Sequence, residues 1–115
     1  DDMKPNFVML TQAKNLANSP SVLNGVRVGV ATDTRWARRD IKTVMLLAQV
    51  LAKKQAKAKG YHEVWLVEDG FITEGGSSTA FIITKDNVLV TRPNSPAILP
   101  GCTRRAVLQI AKEQN

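Results

Sequence analysis

The sequence predicts an α+β domain of mostly antiparallel strands with two helices. Three observations carry that expectation: short alternating or β-branched runs separated by turn residues, an Asp-Gly hairpin signal at Asp69-Gly70, and two segments with apolar residues at helical spacing. Phe7 to Thr11 reads as a first short strand, and Gln12 to Asn24 as a polar loop around Ser19-Pro20. Val26 to Thr32 reads as a second strand, followed by a basic connector over Arg35 to Arg39. Thr43 to Lys59 is the strongest helix, because Val44, Leu47, Ala48 and Leu51 recur at helical spacing and Gly60 stands where a stop belongs. Tyr61 to Val67 is a strand that returns through Asp69-Gly70 into Phe71-Ile72-Thr73. Ala80 to Thr84 and Val88 to Thr91 form a second hairpin across Lys85-Asp86-Asn87. Arg92 to Gly101, with three prolines, is a loop, and Thr103 to Lys112 is the second helix.

Composition narrows the functional classes. At 115 residues the chain forms one domain at most, and its 43% hydrophobic and 23% charged content is ordinary for a globular protein. No apolar run approaches the ~18 residues of a membrane span. The first residues, Asp1-Asp2-Met3-Lys4-Pro5, lack the basic start and apolar core of a signal peptide. A single cysteine excludes an internal disulfide and fits a reducing, cytoplasmic compartment. The net charge of +6 raises the question of nucleic acid. Lys53, Lys54, Lys57 and Lys59, however, fall late in one predicted helix, where cations complement the dipole, and the six aromatic residues are not interleaved with them. The expectation is therefore no nucleic acid and no membrane.

Lys42 is the residue with the most unusual predicted setting. It stands where the Thr43–Lys59 helix is expected to begin, and both the positive end of a helix dipole and apolar neighbours disfavour a cation there. An amine kept neutral in that way can form a Schiff base. A carboxylate, Glu74, stands beside the glycine-serine turn Gly75-Gly76-Ser77-Ser78. It is either a turn residue facing solvent or an anion held against a ligand. Further on, Gly101-Cys102-Thr103-Arg104-Arg105 opens a helix with two arginines in its first turn. These oppose the dipole unless an anion is bound there, or they point into solvent. A nucleophilic lysine, a lone carboxylate and an anion-ready helix start are the parts that a pyridoxal phosphate (PLP) site needs.

The order Asp33-Thr34-Arg35-Trp36-Ala37-Arg38-Arg39-Asp40-Ile41-Lys42, then Thr73-Glu74-Gly75-Gly76-Ser77-Ser78, then Ile98-Leu99-Pro100-Gly101-Cys102-Thr103-Arg104 resembles the fold-type IV PLP-dependent aminotransferases, and within them the D-amino-acid transaminase branch. The resemblance implies that Lys42 carries the cofactor as a Schiff base and shuttles the substrate proton. It implies that Glu74 faces the pyridine nitrogen, that Arg35 bonds around the ring hydroxyl, and that Leu99 packs on a ring face. Cys102 and Thr103 would hold the phosphate, and Ser77 and Ser78 would support the hydrogen-bond network around the ring. Thr79 stands where the family often has asparagine, which leaves its role open. Arg38, Arg39 and Asp40 are expected to form structural ion pairs, and His62 to be structural. The implied reaction moves an amino group between a D-amino acid and a 2-oxo acid in a cytoplasmic homodimer. Other reactions of the same family stay open, namely branched-chain or amine transamination and aminodeoxychorismate lyase chemistry, as does a catalytically inactive piece. By the same resemblance, residues 1–115 are an incomplete C-terminal cofactor-binding domain, without the N-terminal domain and the C-terminal remainder, and would be inactive alone.

Overall fold

The computed structural model describes residues 3–15 and 17–114. Leu16, inside the expected Gln12–Asn24 loop, lies outside the described residues, as do Asp1, Asp2 and Asn115. The elements are α1 (Pro20–Asn24), β1 (Val28–Thr32), α2 (Leu47–Ala58), β2 (Glu63–Glu68), β3 (Phe71–Gly75), β4 (Phe81–Ile83), β5 (Leu89–Thr91) and α3 (Cys102–Glu113). They form one three-stranded sheet in the order β1-β2-β3 and one hairpin, β4-β5. Two of the three strand pairings among the described residues are antiparallel, as the α+β expectation requires. The β1–β2 pairing is parallel, Val28 facing Glu63 through Thr32 facing Val67, because α2 returns the chain to the same edge as a crossover.

Three local expectations are corrected. Residues 7–11 form no strand, and Phe7, Val8, Met9 and Leu10 are exposed, with no partner strand described beside them. The Gln12–Asn24 loop contains the short helix α1, which Pro20 opens because its fixed φ and missing N–H suit a first helical position. The main helix begins at Leu47 rather than Thr43. A local turn replaces the first helical turn: the Thr43 hydroxyl accepts the Met45 N–H at 3.2 Å, and Leu46 N–H donates to Val44 carbonyl at 2.9 Å. The helix ends as expected, with Gly60 at φ 80° and its N–H on the Lys57 carbonyl at 3.0 Å.

The face that α2 buries also differs from the expected one. Ala52 and Ala56, one turn apart, pack on Val64 and Leu66 of β2, with Ala31 and Tyr61 at the margin. Small side chains let the helix approach the sheet closely. Val44, Leu47, Val50 and Leu51 are exposed instead, on the side where no described element packs.

The feature that positions the site is a bulge in the β2–β3 hairpin. Asp69 (φ 52°) and Gly70 (φ 78°) make the two-residue turn, which sets Glu68 opposite Phe71 and Val67 opposite Ile72. Trp65 is then opposite Gly75, so one residue, Leu66, faces two, Thr73 and Glu74. Strict alternation would send Thr73 and Glu74 to opposite faces. The bulge breaks that alternation, and both are buried, Thr73 at 2% and Glu74 at 6% exposure. The Thr73 hydroxyl lies 2.7 Å from Asp33 Oδ2 and 3.1 Å from the Leu66 carbonyl, the group whose regular ladder position the bulge disturbs.

Thr73→Val keeps the shape but removes the hydroxyl that serves those two buried acceptors. It should lower unfolding free energy by about 1–3 kcal/mol in urea titration, and Thr73→Ser should recover most of the loss. Equal stability of the Val variant and the parent would remove the hydroxyl from the account of the bulge.

Candidate active site

Three segments converge on two carboxylates. The connector after β1 supplies Asp33, Arg35 and Arg39, the bulge supplies Thr73 and Glu74, and the proline-rich loop supplies Leu99. The Asp33 side chain is fully buried. It accepts Arg35 Nε at 2.9 Å and Arg35 Nη2 at 2.7 Å, the Arg35 backbone N–H at 3.1 Å and the Thr73 hydroxyl at 2.7 Å. Its own N–H donates to the Val67 carbonyl at 2.7 Å, which fixes the connector to the sheet. Burial by itself would raise the Asp33 pKa, but the hydrogen bonds from Arg35 and Thr73 outweigh it and bring the value from 3.8 down to about 2.

The second side of the Arg35 guanidinium serves Glu74. Nη1 donates to Glu74 Oε1, so one cation bridges two buried carboxylates. Burial opposes the charge on Arg35, and the bonds to Asp33 and Glu74 overcome that cost and raise its pKa. Glu74 also accepts the Leu99 N–H, at 3.1 Å to Oε2 and 3.3 Å to Oε1. Ile98, 1% exposed, anchors the loop that presents this amide. A carboxylate offers about four acceptor positions. Glu74 has two donors on it, Arg35 and Leu99, so capacity remains for a third.

Arg39 braces the arrangement from below. It donates from Nη1 and Nη2 to Glu68 at 2.7 and 2.6 Å, and its backbone N–H donates to Pro96 carbonyl at 2.9 Å. This joins the connector to both the hairpin and the proline-rich loop. The expected ion pairs are therefore present in a different combination: Arg38 pairs with Asp40 at 2.8 Å, and Arg39 with Glu68. His62 is exposed, and its backbone N–H holds the Arg27 carbonyl at 2.8 Å.

The other candidate residues lie around this core. Cys102 and Thr103 are exposed in the first turn of α3, after Gly101, with no side-chain cap and no acidic residue in that turn. Their amides are thus available donors at a helix N-terminus. Only Pro100 and Gly101 separate Leu99 from Cys102, a reach of at most about 11 Å over three steps. Arg104 does not point into solvent. It is 8% exposed, and Nη2 donates to the Arg92 carbonyl at 2.8 Å, whereas Arg105 is exposed. Ser77 and Ser78 direct their hydroxyls to Glu63. Lys42 is exposed on the connector, three residues past the anchored Arg39 and five before α2, outside the hydrogen-bonded group. The dipole and the apolar neighbourhood that singled it out in the sequence are therefore not its setting here; the motif is what distinguishes it. Sequence reasoning missed Asp33, Thr73 and Glu68 as partners. Asp33 and Thr73 lie inside the quoted motifs, and polar residues ending two strands were the available signal.

The Amino-transferase class IV family profile matches residues 2–115. The chain belongs to that family. Over 90 residues it is 43% identical to the D-alanine aminotransferase of Bacillus licheniformis, covering 78% of this chain and 31% of that protein. Among solved structures, the PLP-bound form of a hypothetical aminotransferase from Mycobacterium tuberculosis superposes with a TM-score of 0.68 at 25% identity, over 78% of this chain and 35% of that one. The branched-chain amino acid aminotransferase of Escherichia coli gives 0.62 at 31% identity, over 78% and 31%. These neighbours are fold-type IV enzymes, and the α+β arrangement above is a portion of that fold. The chain spans about a third of the length of the curated relatives it matches. No helix among the described residues is long and apolar enough to cross a membrane.

Asp33 makes the site sensitive to acid in one direction. Its folded-state pKa lies below the unfolded value, so it stabilises the fold fully above about 3.8 and progressively less as pH falls toward about 2. Urea midpoints measured from pH 5 to pH 2 should fall most steeply in that interval. Asp33→Asn should be less stable at pH 5 and should flatten the profile; an unchanged slope would mean that other carboxylates carry the acid sensitivity.

Proposed function

We propose that this chain forms part of the cofactor-binding domain of a PLP-dependent aminotransferase that moves an amino group between a D-amino acid and a 2-oxo acid. The observation that supports this most directly is Glu74: a buried carboxylate, oriented by Arg35 and the Leu99 amide, with an acceptor position to spare. That donor and acceptor set fits a protonated pyridine nitrogen. The uncapped first turn of α3 fits a phosphate. Membership of the class IV family and the PLP-bound form of a structural neighbour agree with both. The D-amino-acid assignment is supported by the likeness to D-alanine aminotransferases.

When bound, the cofactor supplies an electron sink for negative charge developing at the substrate α-carbon. Glu74, kept in place by Arg35, holds a proton on the pyridine nitrogen through its negative charge. The amides of Cys102 and Thr103 and the Thr103 hydroxyl would hold the phosphate, and Leu99 would pack against the ring. Arg35 uses three of its five N–H groups on Asp33 and Glu74, so two remain for the ring hydroxyl. Lys42 Nζ would hold the cofactor covalently and, once released as the free amine, would carry the proton from the substrate α-carbon. Ser77 and Ser78 act through the turn that follows Glu74. Amino-acid and 2-oxo-acid recognition is assigned to the rest of a homodimeric enzyme.

The test uses the intact enzyme. Borohydride reduction with PLP bound, followed by peptide mapping, should label Lys42; labelling chiefly at Lys53 or Lys57 would move the nucleophile elsewhere. Pyruvate release from D-alanine should exceed that from L-alanine, and the reverse preference would replace the D-amino-acid reading. Glu74→Ala should retain cofactor yet lose at least about tenfold in kcat, equivalent to roughly 1.4 kcal/mol of barrier. Unchanged turnover in that variant would return Glu74 to a structural role.

A further inference from the structure

A second polar cluster holds the turn that follows Glu74, and of its members the reaction as described uses only Ser77 and Ser78. Glu63 opens β2 with its side chain only 15% exposed. Its Oε2 accepts the Ser77 hydroxyl at 3.3 Å and the Ser78 hydroxyl at 3.2 Å, and its Oε1 accepts the Val64 N–H at 2.9 Å. Lys53, from the middle of α2, donates to Ser77 Oγ at 2.6 Å and lies 3.6 Å from Glu63 Oε2. The donors and acceptors are consistent: each hydroxyl gives its single proton to the carboxylate, and Ser77 receives one from the ammonium.

The backbone explains why such a cluster is needed. Glu74 is followed by two glycines, the residues least able to hold a conformation by themselves. Gly75 N–H closes the turn on the Ser78 carbonyl at 2.7 Å, and Gly76 N–H reaches the Val64 carbonyl at 2.9 Å. The glycines are required by close approach. A Cβ on Gly75 would stand 2.9 Å from the Ser78 carbonyl oxygen, and one on Gly76 would stand 2.8 Å from Lys53 Cγ and 3.0 Å from Val64 Cγ1. The Lys53 stem therefore lies directly over the turn, and the turn is caught between α2 and the start of β2.

We infer that Glu63 is a positioning residue, with Lys53 as its counter-charge, that latches the Gly75–Ser78 turn and so holds Glu74 in its orientation through contacts separate from those of Arg35. The inference rests on the reading of Glu74 as a cofactor-facing carboxylate. An exposed ion pair alone contributes little. This one differs in that its carboxylate is mostly buried and collects two hydroxyls and an amide.

The experiment compares the intact enzyme with Glu63→Ala, Glu63→Gln and Lys53→Met. Amide hydrogen exchange is read at Gly75 without cofactor, with the Asp33 amide, bonded to Val67, as the reporter of an intact sheet. PLP affinity is then measured by absorbance titration, and kcat and KM for D-alanine by pyruvate release. Glu63→Ala should speed Gly75 exchange about tenfold, as expected for losing hydrogen bonds to a charged acceptor, and leave Asp33 exchange unchanged. It should weaken PLP affinity severalfold and lower kcat more than it raises KM. Glu63→Gln, which keeps a carbonyl acceptor, should recover most of the protection, and Lys53→Met should fall between. Unaltered Gly75 exchange in Glu63→Ala overturns the latch. If Glu63→Ala fails to fold, unaltered Gly75 exchange in Lys53→Met overturns it instead. Faster exchange with unchanged PLP affinity and kcat overturns the positioning role. A parent enzyme that binds no PLP defeats the functional reading separately, because the exchange measurement needs no cofactor.

Discussion

The site depends on one cation shared by two buried carboxylates. Arg35 meets Asp33 with two N–H groups and Glu74 with a third. Both carboxylates depend on it at that depth, since breaking a buried ion pair by removing one partner costs about 3–5 kcal/mol; Asp33 has a second, longer cation contact in Arg39 Nε at 3.7 Å. The same guanidinium fixes geometry as well as charge. Its planar fork sets where the end of β1 stands relative to the bulge in β3, and hence where Glu74 points. The other contacts complete a frame around it: Thr73 on Asp33, the Leu99 amide on Glu74, and Arg39 from the connector to Glu68. A rigid frame of this kind suits the role proposed for Glu74, holding a proton on a ring nitrogen, because the benefit of an oriented charge is lost if the charge must reorganise.

The elements were legible in the sequence where local chemistry decides them. The Asp69-Gly70 turn, the Gly60 stop and the Lys85–Asn87 hairpin follow from residues that accept positive φ, and all three stand where the sequence puts them. The errors came where tertiary context decides. Phe7 to Thr11 has strand composition, but no strand is described beside it. Val44 to Leu47 has helical spacing, but Thr43 supplies a competing turn. The apolar positions Val44, Leu47, Ala48 and Leu51 gave the helix its spacing, yet the sheet takes Ala52 and Ala56, since close helix–sheet approach favours small side chains over large ones.

The site was legible as motifs and only in part as physics. Arg35, Glu74 and Leu99 were singled out, and they do meet. Cys102 and Thr103 were read as an anion-ready helix start, and the first turn of α3 is uncapped. The bulge was not foreseeable from periodicity, because its signature is a break in alternation: Thr73 and Glu74 adjacent and both buried. The electrostatic argument for Lys42 failed with the helix boundary on which it rested, and the motif alone supports that residue. Glu63 and Lys53 carried no signal at all, since a strand-opening glutamate and a mid-helix lysine are ordinary surface residues until the fold sets them against the serine turn.

The most direct test of the shared-cation account is a double-mutant cycle between Asp33 and Glu74 in the intact protein, using Asp33→Asn, Glu74→Gln and the pair, with unfolding free energies from urea titration at pH 7. The two carboxylates make no direct hydrogen bond, and repeating the cycle in an Arg35→Gln background separates the coupling through Arg35 from their mutual repulsion. The account predicts an interaction energy of about 1 kcal/mol or more, because the first loss leaves Arg35 with a single anionic partner and changes the cost of the second. Additivity within about 0.5 kcal/mol would contradict it, and would mean that Arg35 serves Asp33 alone.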